Sequence, residues 1–185
     1  LTDNINLNFV NVGVPSSLMS NINFYSLTSI DFPNTNTLTN VQLSGNYALT
    51  NVDITNLSSL EQFYGEYIGL NSLDTSNNTA LTGLTLNYSG SLDTSGNSFG
   101  STSPNNATGI KSLDLINNVN LNSLSVQGVY GITSLNVSSI SDLTYLRVKS
   151  GNLNCVQVSQ SQLDIAQSPI NDNYNNWERS RNSTY

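Results

Sequence analysis

One spacing recurs through most of this chain. Apolar residues fall in the pattern L-x-x-L-x-L, with Leu, Ile, Val or Phe at each fixed position. It appears at Leu27-Ile30-Phe32, Leu38-Val41-Leu43 and Leu49-Val52-Ile54, then at Leu81-Leu84-Leu86 and Ile110-Leu113-Leu115. It continues at Leu121-Leu124-Val126, Ile132-Leu135-Val137, Leu143-Leu146-Val148 and Leu153-Val156-Val158. Starts at 27, 38 and 49, and again from 110 to 143, are 11 residues apart. Weaker members, Leu60-Phe63 and Leu70-Leu73-Thr75, fill the middle.

An 11-residue period suits a right-handed helical supercoil, but the local pattern rejects that. The last two apolar positions of each triplet flank one polar residue, which is strand alternation, and turn formers fill the gaps. Alternate triplets differ in kind, so the unit is two triplets, about 21–22 residues. In one series the flanked residue is Asp31, Asp53, Asp74, Asp93, Asp114, Asn136 and Gln157; in the other it is Gln42, Tyr64, Thr85, Ser125 and Arg147. One such unit buries too little to offset roughly 1–2 kcal/mol of backbone ordering per residue. Stacked units cover one another's apolar faces and share a continuous interior. The expected fold is mainly β: a solenoid of about seven 21–22-residue coils with two parallel sheets on opposite sides and terminal caps. Residues 1–26 alternate but miss the frame and read as an N-terminal cap. Residues 27–158 carry the repeats, and 159–185 read as a C-terminal cap and tail, with Trp177 as a lid.

The pattern resembles the bacterial leucine-rich repeats of nested 21-residue (IRREKO-like) type found in Bacteroidetes surface proteins. Leu70–Asn77, Leu81–Leu86, Leu92–Asn97 and Ile110–Asn118 carry the resemblance, and Ser150–Val158 with Asn173–Trp177 looks like the closing segment of such proteins. It implies an extracellular or surface-attached recognition module within a larger multidomain chain, and names no ligand. Leu1 in place of an initiator Met agrees with a processed or excised piece. The half-coil Ser98–Gly109 loses its apolar triplet to Gly, Ser, Pro and Asn, so the second sheet is expected to break there around a surface loop.

Composition narrows the function. The net charge is −7 and Lys plus Arg total 5, too few and too scattered for a nucleic-acid footprint. No apolar run approaches the ~18 residues of a membrane helix. There is no histidine, which removes Ser–His and Cys–His chemistry and the usual zinc ligands. Cys155 is the single cysteine and forms no internal disulfide. The chain is read as non-catalytic and without cofactor or metal.

Three surface constellations stand out. Asp31, Asp53, Asp74, Asp93 and Asp114 are expected as an outward acidic strip on five consecutive coils. Carboxylates ~5 Å apart repel by roughly 0.8 kcal/mol in water and about 3 at an effective dielectric of 20. Local hydrogen bonds, raised pKa values, Lys111 or a cation would have to offset this. Asn34, Asn56, Asn77, Asn97 and Asn117 recur at the following bend and read as turn-satisfying groups inside each coil. Tyr64, Tyr67, Tyr88 and Phe99, with Arg147 facing outward on the same sheet, form an aromatic cluster beside the interrupted half-coil, a platform for a sugar ring or a partner side chain. Coverage of the core corner is the plainer reading of Tyr67 and Tyr88. The functional expectation is a module that binds a protein or polysaccharide; the alternatives are a structural spacer or adhesin stalk, and ice binding, for which the Thr28, Thr50, Thr133 column is too broken.

Overall fold

The computed structural model describes residues 6–13, 27–87, 109–149, 152–167 and 177–179. Among the described residues, nine strands and one helix follow in chain order: β1 (Phe9–Asn11), β2 (Asn40–Gln42), β3 (Gln62–Tyr64), β4 (Gly83–Thr85), β5 (Ser123–Gln127), β6 (Ser134–Asn136), β7 (Tyr145–Lys149), β8 (Cys155–Gln157), α1 (Gln160–Gln167) and β9 (Trp177–Arg179). Seven strands form one parallel sheet in the order β1-β2-β3-β4-β5-β7-β9, and β6 pairs with β8 in a second. The pairing Val10–Val41–Phe63–Leu84–Leu124–Leu146 keeps the middle residue of each triplet at the centre of its strand. Those side chains point inward and are buried, as are Leu38, Leu49, Leu60, Leu70, Leu81, Ile110, Leu121, Ile132, Leu143 and Leu153 at the triplet starts. The result is a solenoid of leucine-rich coils around a continuous apolar interior.

Several features differ from the sequence expectation. The second sheet is short. On the Asp-bearing side the earlier coils run without strand pairing, crossed by isolated backbone bonds such as Asn71 N–H to Thr50 O (3.1 Å). Side chains do the work of the ladder there, as shown below. The N-terminal segment is in frame after all: Leu7, Val10 and Val12 repeat the triplet spacing, and β1 enters the sheet in register with β2. The chain near Trp177 adds β9 alongside β7 as a further strand.

The largest correction concerns the internal copy SLDTSGN. Leu84 on β4 pairs with Leu124 on β5, 40 residues on, where its neighbours are 21 or 22 apart. On the opposite side the Asp74 coil touches the Asp114 coil directly: Asn118 Nδ2–H donates to Thr75 O (3.0 Å) and Asn78 O (2.9 Å). Asp93 lies outside the described residues, and the stack passes from Asp74 to Asp114 with no coil between them. Five consecutive aspartate coils are therefore not what the chain builds. The half-coil Ser98–Gly109, expected to form a surface loop, lies outside the described residues up to residue 108.

Candidate functional site

Each coil has two outward surfaces, and they are built differently. On the Asp side every described aspartate from Asp53 on is absorbed into a turn. Asp53 Oδ1 accepts from the Thr55 N–H (2.9 Å) and hydroxyl (2.6 Å). Asp74 accepts from Ser76 N–H (2.9 Å) and Asp114 from Ile116 N–H (3.0 Å). Asn136 does the same with Ser138, at 3.0 Å to the N–H and 2.7 Å to the hydroxyl. Hydrogen bonds to the charged form lower a carboxyl pKa. The Thr55 bonds hold Asp53 below the ordinary carboxylate range, against smaller upward pulls from desolvation and the Asp74 charge. Ser76 holds Asp74 down in the same way. The offset to mutual repulsion is thus local hydrogen bonding, and the alternative of raised pKa values is overturned for these two. Asp31 is exposed at the first of these positions.

Four residues after each Asp position the chain points inward, at Leu57, Asn78, Asn118 and Ile140, all fully buried. Asn78 Nδ2 donates to Ile54 O and Leu57 O, both at 2.8 Å. Asn118 repeats this one coil on. In α1, Gln162 Nε2 reaches Val137 O (3.0 Å) and Ile140 O (2.6 Å), the same two positions of the coil before it. The helix thereby continues the stack with a longer amide. Asparagines Asn77 and Asn117 instead tie one coil to the next on the surface, through Thr55 O and Ser76 O at 3.2 Å each. They bond between coils and not inside them; the buried column lies one residue further along. Asn34 and Asn56 are exposed, and Asn97 lies outside the described residues.

A shallow hollow of about 190 Å³ opens on this side between Asp74, Ser76, Asp114, Ile116 and Asn117. Ile116 is 66% exposed where the neighbouring coils carry Thr55, Ser76 and Ser138. Among the described residues no group of three or more His, Cys, Asp or Glu side chains is placed to hold a metal ion.

The outer face of the seven-stranded sheet has no such uniformity. One column runs Gln42, Tyr64, Thr85, Ser125, Arg147, and the other Asn40, Gln62, Gly83, Ser123, Tyr145. Tyr64 is 36% exposed. Its hydroxyl donates to Gln62 Oε1 (3.1 Å), and Gln62 Nε2 donates to Thr82 Oγ1 (2.7 Å). Thr82 Oγ1 in turn donates to Glu61 O (3.1 Å). Arg147 shares the column of Tyr64 three strands away, roughly 14 Å at the usual strand spacing.

Tyr67 is not on this face. It sits at the turn after β3, half-buried, with a left-handed φ of 54° and its ring edge-on to Tyr47, centroids 6.4 Å apart. Gly45 and Gly128 hold left-handed φ at the equivalent position, four residues after the paired Val41 and Leu124 as Tyr67 is after Phe63. A non-glycine residue there costs of order 1–3 kcal/mol, which the Tyr47 contact helps to offset. Tyr88 and Phe99 lie outside the described residues. The structure therefore brings Tyr64 and Arg147 onto one face and puts Tyr67 with Tyr47 at its margin. Gln62 and Gly83 were missed; the signal for them was Gly83 itself, a glycine at an outward strand position.

Beside that face a polar row crosses the coils from the turns after β3 and β4 to β5. Asn87 Nδ2 donates to Glu66 Oε1 (2.7 Å), while Asn87 Oδ1 accepts from Ser125 Oγ (2.8 Å) and Gln127 N–H (3.1 Å). Cys155 is exposed on β8, unpaired. Among the described residues no helix is long and apolar enough to cross a membrane.

No protein-family model matches the chain, and no curated protein does. A similar solved structure is the functional domain of InlJ from Listeria monocytogenes, which includes a cysteine ladder. The two are 18% identical with a TM-score of 0.39, over 84% of this chain and 40% of that one. A likeness at that level carries no weight for function.

Proposed function

We propose that this chain is a non-catalytic recognition module that holds a protein or polysaccharide ligand against the outer face of the seven-stranded sheet. The supporting observation is the contrast between columns. The aspartates are consumed by the turns that make the coils, whereas the matching column of the sheet face, Gln42, Tyr64, Thr85, Ser125 and Arg147, repeats no residue and exposes Tyr64. Positions that architecture does not dictate are where binding specificity is carried. The repeat spacing further supports reading the chain as a nested 21-residue leucine-rich repeat of bacterial type. On that reading it works outside the cell or attached to its surface, within a longer multidomain protein.

The test is ligand capture on glycan and protein arrays, with a Tyr64→Ala variant beside an Asp53→Asn, Asp74→Asn double variant. Loss of capture in the tyrosine variant alone supports the sheet face. A spacer or adhesin stalk, the reading from another class, has no such site; capture by none of the three proteins would favour it.

A further inference from the structure

Gly83 is an odd residue for the middle of a sheet. Gly83 opens the central strand β4, and a glycine in a sheet packs no side chain and often marks a close approach by something else. Here the approaching group is Gln62: a Cβ on Gly83 would overlap its carboxamide oxygen. The glycine lets Gln62 lie across from β3 onto β4, where its amide reaches Thr82 and its oxygen receives the Tyr64 hydroxyl. The chain of contacts Gly83, Gln62, Tyr64 fixes an exposed ring. Holding a side chain in advance spares about 0.5–1.5 kcal/mol of ordering on binding.

The surroundings say what such a ring suits. From β2 to β5 the outward positions are amides, hydroxyls, Tyr64 and Gly83, with no charged and no aliphatic side chain. A protein interface has an apolar core, and the exposed apolar side chain on this face, Phe9, stands on the edge strand β1, two strands from Tyr64. Hydroxyl and amide groups beside an aromatic face suit a sugar. The C–H bonds on one face of a pyranose carry partial positive charge and meet the negative face of the ring, while its hydroxyls find donors and acceptors at the margin. Gln42 and Thr85 flank Tyr64 in register on either side.

We propose that Tyr64 is the stacking platform for one neutral hexopyranose unit of a glycan, with Gln62 and Gly83 as its positioning residues and Gln42 and Thr85 as its hydrogen-bonding flank. This rests on the sheet-face reading above and adds the ligand class.

The experiment is affinity electrophoresis of the whole chain through gels containing mannan, linear β-1,3-glucan, arabinoxylan or galactan, with thermal unfolding of every variant alongside. At least one polysaccharide should retard the parent protein. Tyr64→Ala should abolish the retardation, and Gly83→Ala and Gln62→Ala should each weaken it about threefold to tenfold, up to about 1.4 kcal/mol. The double variant Gly83→Ala, Gln62→Ala should be no weaker than Gln62→Ala alone, because both act through one contact; independent effects would add. Additive losses would overturn the positioning role, and retardation unchanged in Tyr64→Ala would overturn the site. If no polysaccharide retards the parent protein, the glycan class falls. A protein ligand lost in Tyr64→Ala would then leave the sheet-face reading standing.

Discussion

The two sides of this solenoid solve one problem by different means. Each coil must bond to the next. On the sheet side the backbone does most of it, through parallel ladders from β1 to β9, with side-chain crossings such as Gln62 to Thr82 and Ser125 to Asn87 as additions. On the Asp side the backbone is bent into consecutive turns, as where Asn78 N–H meets Thr75 O and Leu81 N–H meets Asn78 O. Side-chain amides then make the crossings. Regularity in a repeat therefore marks load already assigned. The aspartate column, the most eye-catching feature of the sequence, is regular because the turn needs an acceptor there.

The sharpest way to break this comparison is Asn118→Ala. It deletes two amide bonds to the preceding coil and the bond Asn118 Oδ1 accepts from the Thr75 hydroxyl (2.8 Å), leaving that hydroxyl only Asp114 O at 3.1 Å. At about 1 kcal/mol per buried bond, denaturant unfolding should show a loss of about 3 kcal/mol. Asn120→Ala, which removes one exposed bond to Thr79 O, should lose well under 1. Equal losses would mean that the buried amides are not what joins the coils on this side. Next in size is Gly131→Ala at the corner between the two sides. Its Cβ would collide with Ile110 O of the coil beneath, which is backbone and cannot swing away. A loss toward the upper end of the ~1–3 kcal/mol range for overpacking is expected.

A smaller test exploits an imperfection. Asn78 Oδ1 is buried without a partner, because Ile54 stands where the next coil has Thr75. Thr75→Val should put Asn118 in the same condition and cost about 1 kcal/mol. A cost near zero would show that the oxygen of these amides is idle in both coils.

How much of this was legible follows from the same contrast. The interior was readable because burial enforces apolar residues at fixed spacing; all three members of the Leu38, Leu81 and Leu121 triplets are buried. The buried amides were misplaced by one residue because Asn77 and Asn78, like Asn117 and Asn118, are adjacent and spacing alone does not say which points inward. Helix α1 was missed, although Gln162 follows Ile140 by 22 residues, one repeat period. An apolar triplet search is blind to a polar residue that keeps the period. On the sheet face Tyr64 and Arg147 were legible as outward residues, but the Gln62 contact that holds Tyr64 was not, since it runs across strands.

The smallest expected effect probes the aspartates themselves. Asn136 makes the same turn as Asp53, with the same two donors from the residue two further on, so the turn requires an acceptor oxygen and not a charge. Asp53→Asn should therefore change stability at pH 7 by under about 0.5 kcal/mol, the usual scale for a surface site. Its pH dependence should change more visibly. A carboxyl whose pKa is lower folded than unfolded stabilises the fold above the unfolded value, about 3.9, and that contribution fades as pH falls through the lower folded value. Asp53 and Asp74 are both lowered, so the parent protein should lose part of its stability below about pH 4. The double variant Asp53→Asn, Asp74→Asn should lose less there, a difference read by unfolding at pH 7 and pH 3. If the variant were instead stabilised at pH 7, repulsion along the column would outweigh its turns, and the Asp side would be a strained surface in place of a settled one.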